Sequence, residues 1–314
     1  MIDLSDIRAA AGRLEGLVRR TPLMAATQLK SPPTEAALTL KLELLQVTGS
    51  FKARGATNRL LAAPRAEIER GIVAASGGNH GLAVARAGAL AGVPVTIFLP
   101  SNVTPAKLEK LKLWGAETVV AGNVWDETSK AALAFVEETG RAWFHPFADP
   151  LVVAGQGTVG LEIVEQGPEV DTLLVAIGGG GLISGVATAV KALKPSVRVI
   201  GVEAAGSPTL KRSVEAGRSV GLDAVTTSVA TMACARTDDR IFDIVRRTVD
   251  DIVLVDDEEM CEAARWLWFE MGLAADLSGA AALAALQTGR VRLAPGNRAC
   301  AIVCGAGPDA LLAP

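Results

Sequence analysis

Hydrophobic and polar positions along this chain switch repeatedly between helical and strand spacing, and the switches predict an alternating α/β order. Residues 2–18 set apolar side chains at helical spacing among Asp3, Asp6, Glu15 and several arginines, and Arg20-Thr21-Pro22-Leu23 ends that helix in a turn. Ala37 to Leu44 alternates and predicts a strand. Ala53 to Ala63 supports a helix that Pro64 stops. Short apolar runs at 71–75, 95–99 and 117–121 predict buried strands, separated by helices ending near Ala91, over 105–114 and over 125–139. After a linker from His145 to Pro150, the pattern predicts helix over 159–166, strand over 171–177, helix to Lys194 and strand over 197–203. Residues 205–250 show no clear period; strand 251–255, helices 257–271 and 278–287, and strand 300–304 complete the series.

Composition narrows the fold class. Half the residues are hydrophobic but only 4% are aromatic, with no tyrosine. Ala, Val, Leu and Ile therefore carry the apolar bulk, as in α/β proteins with buried parallel strands. A length of 314 residues suggests one large or two medium domains. The net charge is 31 − 34 = −3 without a basic block, which argues against nucleic acid as a partner. No run of about 18 uncharged apolar residues occurs, so no membrane span is predicted. The amphipathic start is not a secretion signal. Cys234, Cys261, Cys300 and Cys304 form no CxxC pair and the only histidines are His80 and His145, which points away from a zinc cluster or disulfide framework and toward the reducing cytoplasm.

Candidate chemistry lies where loops tip into helices. In Thr48-Gly49-Ser50-Phe51-Lys52-Ala53-Arg54-Gly55-Ala56, Lys52 falls in the first helical turn. The positive end of the helix dipole disfavours an ammonium there and lowers its pKa, so the neutral amine becomes available to a carbonyl. Gly178-Gly179-Gly180-Gly181 lies between a strand and a helix, where backbone amides can hold an anion. Glu203 follows Gly178 by 25 residues, 203 − 178, the place of a ribose-binding acid in a nicotinamide-binding fold. On that segment alone an NAD-dependent dehydrogenase using Gly178–Gly185 and Glu203 rivals an enzyme with a phosphate-bearing cofactor. Ser76-Gly77-Gly78-Asn79-His80-Gly81 is a second glycine turn, suited to a carboxylate, with His80 read as a packed neutral histidine. Cys304 closes the last strand, at the carboxyl end where α/β sheets place ligands.

In this order, Ser50-Phe51-Lys52-Ala53-Arg54-Gly55-Ala56, Ser76 to Gly81, Ala154-Gly155-Gln156-Gly157-Thr158 and Gly178 to Gly185 resemble the serine/threonine dehydratase and serine racemase family of pyridoxal-phosphate enzymes, of tryptophan-synthase-β-like fold. The resemblance implies two doubly wound domains with mostly parallel sheets and the cofactor in the cleft between them. Residues 1–64 and 146–314 would form the large domain and 70–145 the small, substrate-gating one. It implies Lys52 as Schiff-base lysine, Phe51 packed beside pyridoxal phosphate, Asn79 on the ring hydroxyl, and Gly178, Gly179, Gly180, Gly181 and Leu182 on the phosphate. Cys304 would meet the ring nitrogen as a weak neutral partner. Ser76, Gly77, Gly78, Asn79 and His80 would take the substrate, and Ser278-Gly279-Ala280 matches a further segment, with Asp276 where glutamate is usual. The family's cation site maps to Glu203, Ser207 and Thr209, but Thr209 replaces an acid, leaving a divalent metal and a monovalent cation both open. Elimination of water from a β-hydroxy amino acid, giving a 2-oxo acid and ammonia, is the implied activity. Gly77 stands where racemases carry a proton-transferring serine, which favours lyase over racemase; 3-hydroxyaspartate dehydration is a further alternative. Thr231-Met232 replaces the usual Asp-Gly of the substrate-facing loop. A homodimer is implied, and feedback through the regulatory domain of longer relatives is not expected.

Overall fold

The computed structural model describes residues 2–101, 103–123 and 125–312. In chain order the elements are α1 (Leu4–Leu14), β1 (Leu23–Ala25), β2 (Ala37–Lys41), α2 (Lys52–Ala62), α3 (Arg65–Ile68), β3 (Ile72–Ala75), α4 (Asn79–Ala91), β4 (Val95–Leu99), α5 (Pro105–Leu113), β5 (Glu117–Val120), α6 (Trp125–Thr139) and β6 (Ala142–Trp143). They continue with α7 (Pro150–Gln166), β7 (Thr172–Ile177), α8 (Gly181–Leu193), β8 (Arg198–Ala204), α9 (Thr209–Ala216), α10 (Asp239–Thr248), β9 (Asp251–Val255), α11 (Asp257–Met271), α12 (Leu277–Gln287), β10 (Arg298–Ile302) and α13 (Asp309–Leu312). The chain is thus α/β, with two mostly parallel sheets.

The larger sheet has the order β1-β2-β10-β7-β8-β9, antiparallel only at β1–β2. The smaller has the order β5-β4-β3-β6 and is parallel throughout. Central strands such as β3, β4 and β7 are buried along their whole length, which is why they read as unbroken apolar runs. Each sheet reverses its winding once, between β3 and β6 in one and between β7 and β10 in the other. Open α/β sheets form their ligand crevices at the strand carboxyl ends beside such reversals. The segments leaving those four strands are Ser76–Asn79, Phe144–Phe147, Gly178–Gly181 and Val303–Gly305; Phe147 packs against Gly179 and Gly181, and the Asn79 amide lies beside Gly305.

The structure departs from the sequence pattern in four places. Helix α7 starts at Pro150 rather than Val159: Asp149 caps it by accepting from the Leu151 N–H at 2.8 Å, and proline suits its first turn. The glycines there serve packing, because a Cβ on Gly155 would lie 2.7 Å from the Gly55 Cα of α2. Within 205–250, α9 and α10 form; α10 is capped by Asp238 and α9 by the buried Glu203. Strands β1 and β6 have three and two residues, too few to show alternation. The strand read over 37–44 stops at Lys41, followed by a 3₁₀ turn over Glu43–Leu45.

Beneath α2 lies a buried ionic quartet. Arg54 donates to both oxygens of Glu43 (2.7 and 2.8 Å) and of Glu162 (2.7 and 3.0 Å), while Lys41 donates to Glu162 at 2.6 Å and to the Thr21 carbonyl at 2.8 Å. Two cations face two carboxylates, so the charge cancels locally, as burial requires. The quartet pins α2 to α7, to β2 and to the segment after α1.

Candidate active site

Lys52 is the first residue of α2, and its ammonium donates to the Pro146 carbonyl at 2.6 Å, 5.2 Å from the Phe51 ring centroid. Burial lowers its pKa to about 8. The sequence placed the cause in the helix field; the structure makes loss of water the largest cause. Phe51 leads into the helix through its N–H to the Cys304 carbonyl (3.2 Å), and Ser50 pairs with Gly305, so the lysine turn is laced to the end of β10.

Gly178–Gly181 follows β7. Gly180 has φ +89°, the left-handed region. A Cβ on Gly179 would fall 2.2 Å from the Phe147 ring, one on Gly181 would fall 2.9 Å from Phe147, and one on Gly178 would fall 2.7 Å from the Thr231 carbonyl oxygen. The loop is therefore backbone alone, closed below by Phe147, with the first turn of α8 opening from it. Thr237 fixes it by donating to the Gly179 carbonyl at 3.0 Å. The Leu182 side chain turns into the core, leaving its backbone to the loop.

After β3, Ser76, Gly77 and Gly78 form the turn into α4, with the Gly78 N–H 3.3 Å from the Ser76 hydroxyl. Asn79 donates from Nδ2 to Asp276 at 2.9 Å. Asp276 also caps α12, accepting from Gly279 N–H (2.6 Å) and the Ser278 hydroxyl (2.8 Å). The two carboxylate oxygens thus orient Asn79 and the first turn of α12, while the Asp276 backbone N–H donates to the Gly305 carbonyl at 3.0 Å and ties that turn to the end of β10. Cys304 is buried, its Sγ 3.9 Å from the Ser278 hydroxyl, and burial pushes its thiol far above the ordinary range, so it stays neutral. His80 is buried with Nε2 2.9 Å from the Phe144 carbonyl, and burial followed by the Lys52 charge lowers its pKa to about 3. Its imidazole is a neutral donor to the core; toward the crevice it offers backbone.

The cation residues have other partners. Glu203 is fully buried and accepts from Leu210 N–H (2.7 Å) and Lys211 N–H (2.9 Å); burial raises its pKa to about 7. The Ser207 hydroxyl donates to the Cys234 carbonyl at 3.1 Å, and the Thr209 hydroxyl donates to the same carbonyl. Among the described residues no group of three His, Cys, Asp or Glu is arranged to hold a metal ion. Glu203, inside the sheet and capping α9, is placed for neither a ribose nor solvent.

Pro146, Phe147 and Thr237 escaped the sequence reading. The signal was the two-residue β6, below the reach of periodicity; His145-Pro146 marks only a turn. Pyridoxal phosphate fits this set of residues. The glycine cradle that side chains would fill suits a phosphate, and the Lys52 amine suits an aldehyde. Buried hydroxyls of Ser50 and Ser184, beside the lysine turn and in the first turn of α8, have no protein partner.

The comparisons agree. The family model described as pyridoxal-phosphate dependent enzyme matches residues 14–305. An L-threonine ammonia-lyase of Thermotoga maritima is 41% identical over 286 residues, 91% of this chain and 71% of the relative. A phenylserine dehydratase of Ralstonia pickettii is 37% identical over 98% of this chain and 94% of its own. The structure of maize serine racemase superposes with a TM-score of 0.91 at 35% identity, covering 97% of this chain and 93% of that one. With Lys52, the glycine cradle and Cys304 brought to one crevice, this chain belongs to the family of pyridoxal-phosphate-dependent enzymes.

Proposed function

We propose that this protein is an ammonia-lyase that eliminates water from a β-hydroxy amino acid, serine or threonine, to give a 2-oxo acid and ammonia. Lys52, Phe51, Asn79, Cys304 and the amides of Gly178–Leu182 would hold the cofactor. Bound there, pyridoxal phosphate supplies a conjugated electron acceptor for the carbon that loses its proton. The backbone turn at Ser76–Gly78, at the start of α4, receives the substrate carboxylate. Lys52 Nζ, its pKa lowered to about 8 by burial, accepts the α-proton as the free amine. The β-hydroxyl takes up a proton, the equivalent of the one Lys52 has accepted, and leaves as water; water then hydrolyses the released enamine to the 2-oxo acid and ammonia. Cys304, a neutral thiol, puts no charge beside the ring.

One observation carries the choice of elimination over racemisation. Position 77 has no side chain, and a Cβ there would meet Leu99 at 3.1 Å and Val103 at 3.4 Å, both apolar. No group at that position can return a proton. Racemisation is the second reading, supported by the likeness to maize serine racemase. A nicotinamide-dependent dehydrogenase does not fit, since the chain's family uses pyridoxal phosphate and Glu203 is buried.

A panel of L- and D-serine, L- and D-threonine and 3-hydroxyaspartate, read by oxo-acid release, tests the proposal. Oxo acid from L-serine or L-threonine, abolished in Lys52→Ala, is expected; interconversion of L- and D-serine as fast as oxo-acid formation would overturn it. We further propose that residues 70–145 form a gating domain over 1–64 and 146–314, and that the protein works as a cytoplasmic homodimer. Scattering with and without substrate tests both the closure and the oligomer. The Glu203 oxygens each accept one backbone N–H, and no step above draws on a cation there.

A further inference from the structure

The mechanism above leaves one half-buried histidine of the crevice without a task. His145 follows β6 at the winding reversal of the smaller sheet. Its Nδ1 accepts from two backbone N–H groups, those of Ala148 at 2.9 Å and Phe147 at 3.2 Å. The ring also stands edge-on to Phe147, with centroids 4.6 Å apart. The imidazole therefore closes the turn 145–148 in the way an asparagine side chain closes an Asx turn. Two groups of the site ride on that turn. The Pro146 carbonyl receives the Lys52 ammonium at 2.6 Å, and the Phe147 ring occupies the space a Gly179 side chain would take.

Resting on the cofactor reading above, we propose that His145 is a positioning residue, whose Nδ1 fixes the turn that seats the Pro146 carbonyl on Lys52 and the Phe147 ring under the glycine cradle. It touches neither substrate nor cofactor in this role. An acceptor is needed at Nδ1, so the ring must be neutral with its proton on Nε2. Burial, followed by the Lys52 charge, holds its pKa down to about 4, and the lone pair stays available across the neutral range. Both ends of the crevice are thereby set by one side chain: the amine at the start of α2 and the cradle at the start of α8.

The test compares His145→Ala with His145→Asn in full-length protein freed of cofactor and titrated with pyridoxal phosphate. Equilibrium unfolding is measured on the same samples. Asparagine restores an acceptor that reaches the same two N–H groups; alanine does not. His145→Ala should weaken pyridoxal-phosphate binding at least about tenfold, the effect of one to two lost hydrogen bonds. His145→Asn should bind within about threefold of wild type. Should alanine prevent folding, asparagine binding like wild type still supports the role, since only the acceptor has been returned. Wild-type affinity in His145→Ala, or equal weakening in both variants, would overturn it. If wild type itself binds no pyridoxal phosphate, the cofactor reading falls first and takes this inference with it.

Discussion

The acidity of Lys52 in protein freed of cofactor can be worked out from the structure and measured directly. Its pKa is lowered to about 8 from the ordinary 10.5, with burial as the largest cause. A thiolate at Cys304 would raise it, but burial keeps that thiol neutral well beyond the physiological range. At pH 7 about one Lys52 in ten is then a free amine, against about three in ten thousand for an ordinary lysine, a ratio of about 300. Competitive acetylation of the full-length protein against an acetyl-lysine-amide standard reads this ratio by peptide mass spectrometry. The labelling rate of Lys52, corrected for access with its value at pH 11, should level off above pH 9. The sign for stability follows from proton counting. Between pH 8 and 10.5 the unfolded chain holds a proton that the native lysine has released, so stability rises with pH across that window. A labelling midpoint above pH 10 would refute the reasoning, for it would mean the amine is hydrated.

Other perturbations address the scaffold around that amine. Arg54→Met leaves Glu43 and Glu162 with Lys41 as their one cation in the quartet; unfolding should show a loss of about 3–5 kcal/mol, and a loss below 1 kcal/mol would show that water reaches the pair. His80 is neutral when folded, with a pKa of about 3 against 6.5 unfolded, so its contribution is present above pH 6.5 and lost as pH falls toward 3. Between pH 7 and 5 wild type should lose roughly 2 kcal/mol more than His80→Gln in urea titrations; equal losses would place the imidazole in water. Gly179→Ala puts a Cβ into the Phe147 ring, so cofactor affinity should fall at least about tenfold, with stability lower by about 1–3 kcal/mol. Unchanged affinity in that variant would mean the cradle lies elsewhere.

What could be read in advance divides by the range of the interaction. Strands such as β3 and β7 announce themselves because burial on both faces needs an unbroken apolar run. Lys52, the Ser76–Gly81 turn and Gly178–Gly181 were legible because chemistry at a helix start needs particular residues in one short segment. Helix α7 was only half legible: Gly155 and Gly157 weaken a helix locally, and their use appears only when α2 and α8 approach. Asp276 could be aligned but not explained, since its partner Asn79 lies 197 residues away. The surroundings of Glu203 were not legible, because strand position says nothing of burial, and its carboxylate serves the two amides that open α9.

The order Lys52-Ala53-Arg54 explains how a reactive amine is held still without being neutralised. Neighbours two apart on a helix point about 200° from each other. The same turn therefore sends Arg54 down into Glu43 and Glu162 and Lys52 up into the crevice. Had the carboxylates faced Lys52, they would have raised its pKa and made it a poor base. The anchoring charge and the working amine are separated by the helix itself. What remains beside the amine is apolar or neutral: the Phe51 ring, the Pro146 carbonyl and the Cys304 thiol. The same division recurs at the cradle, where Thr237 and Phe147 hold the loop from behind and only backbone faces forward. Rigidity in this site comes from groups that look away from the chemistry, and that arrangement lets Lys52 lose its proton near neutral pH while α2 stays fixed.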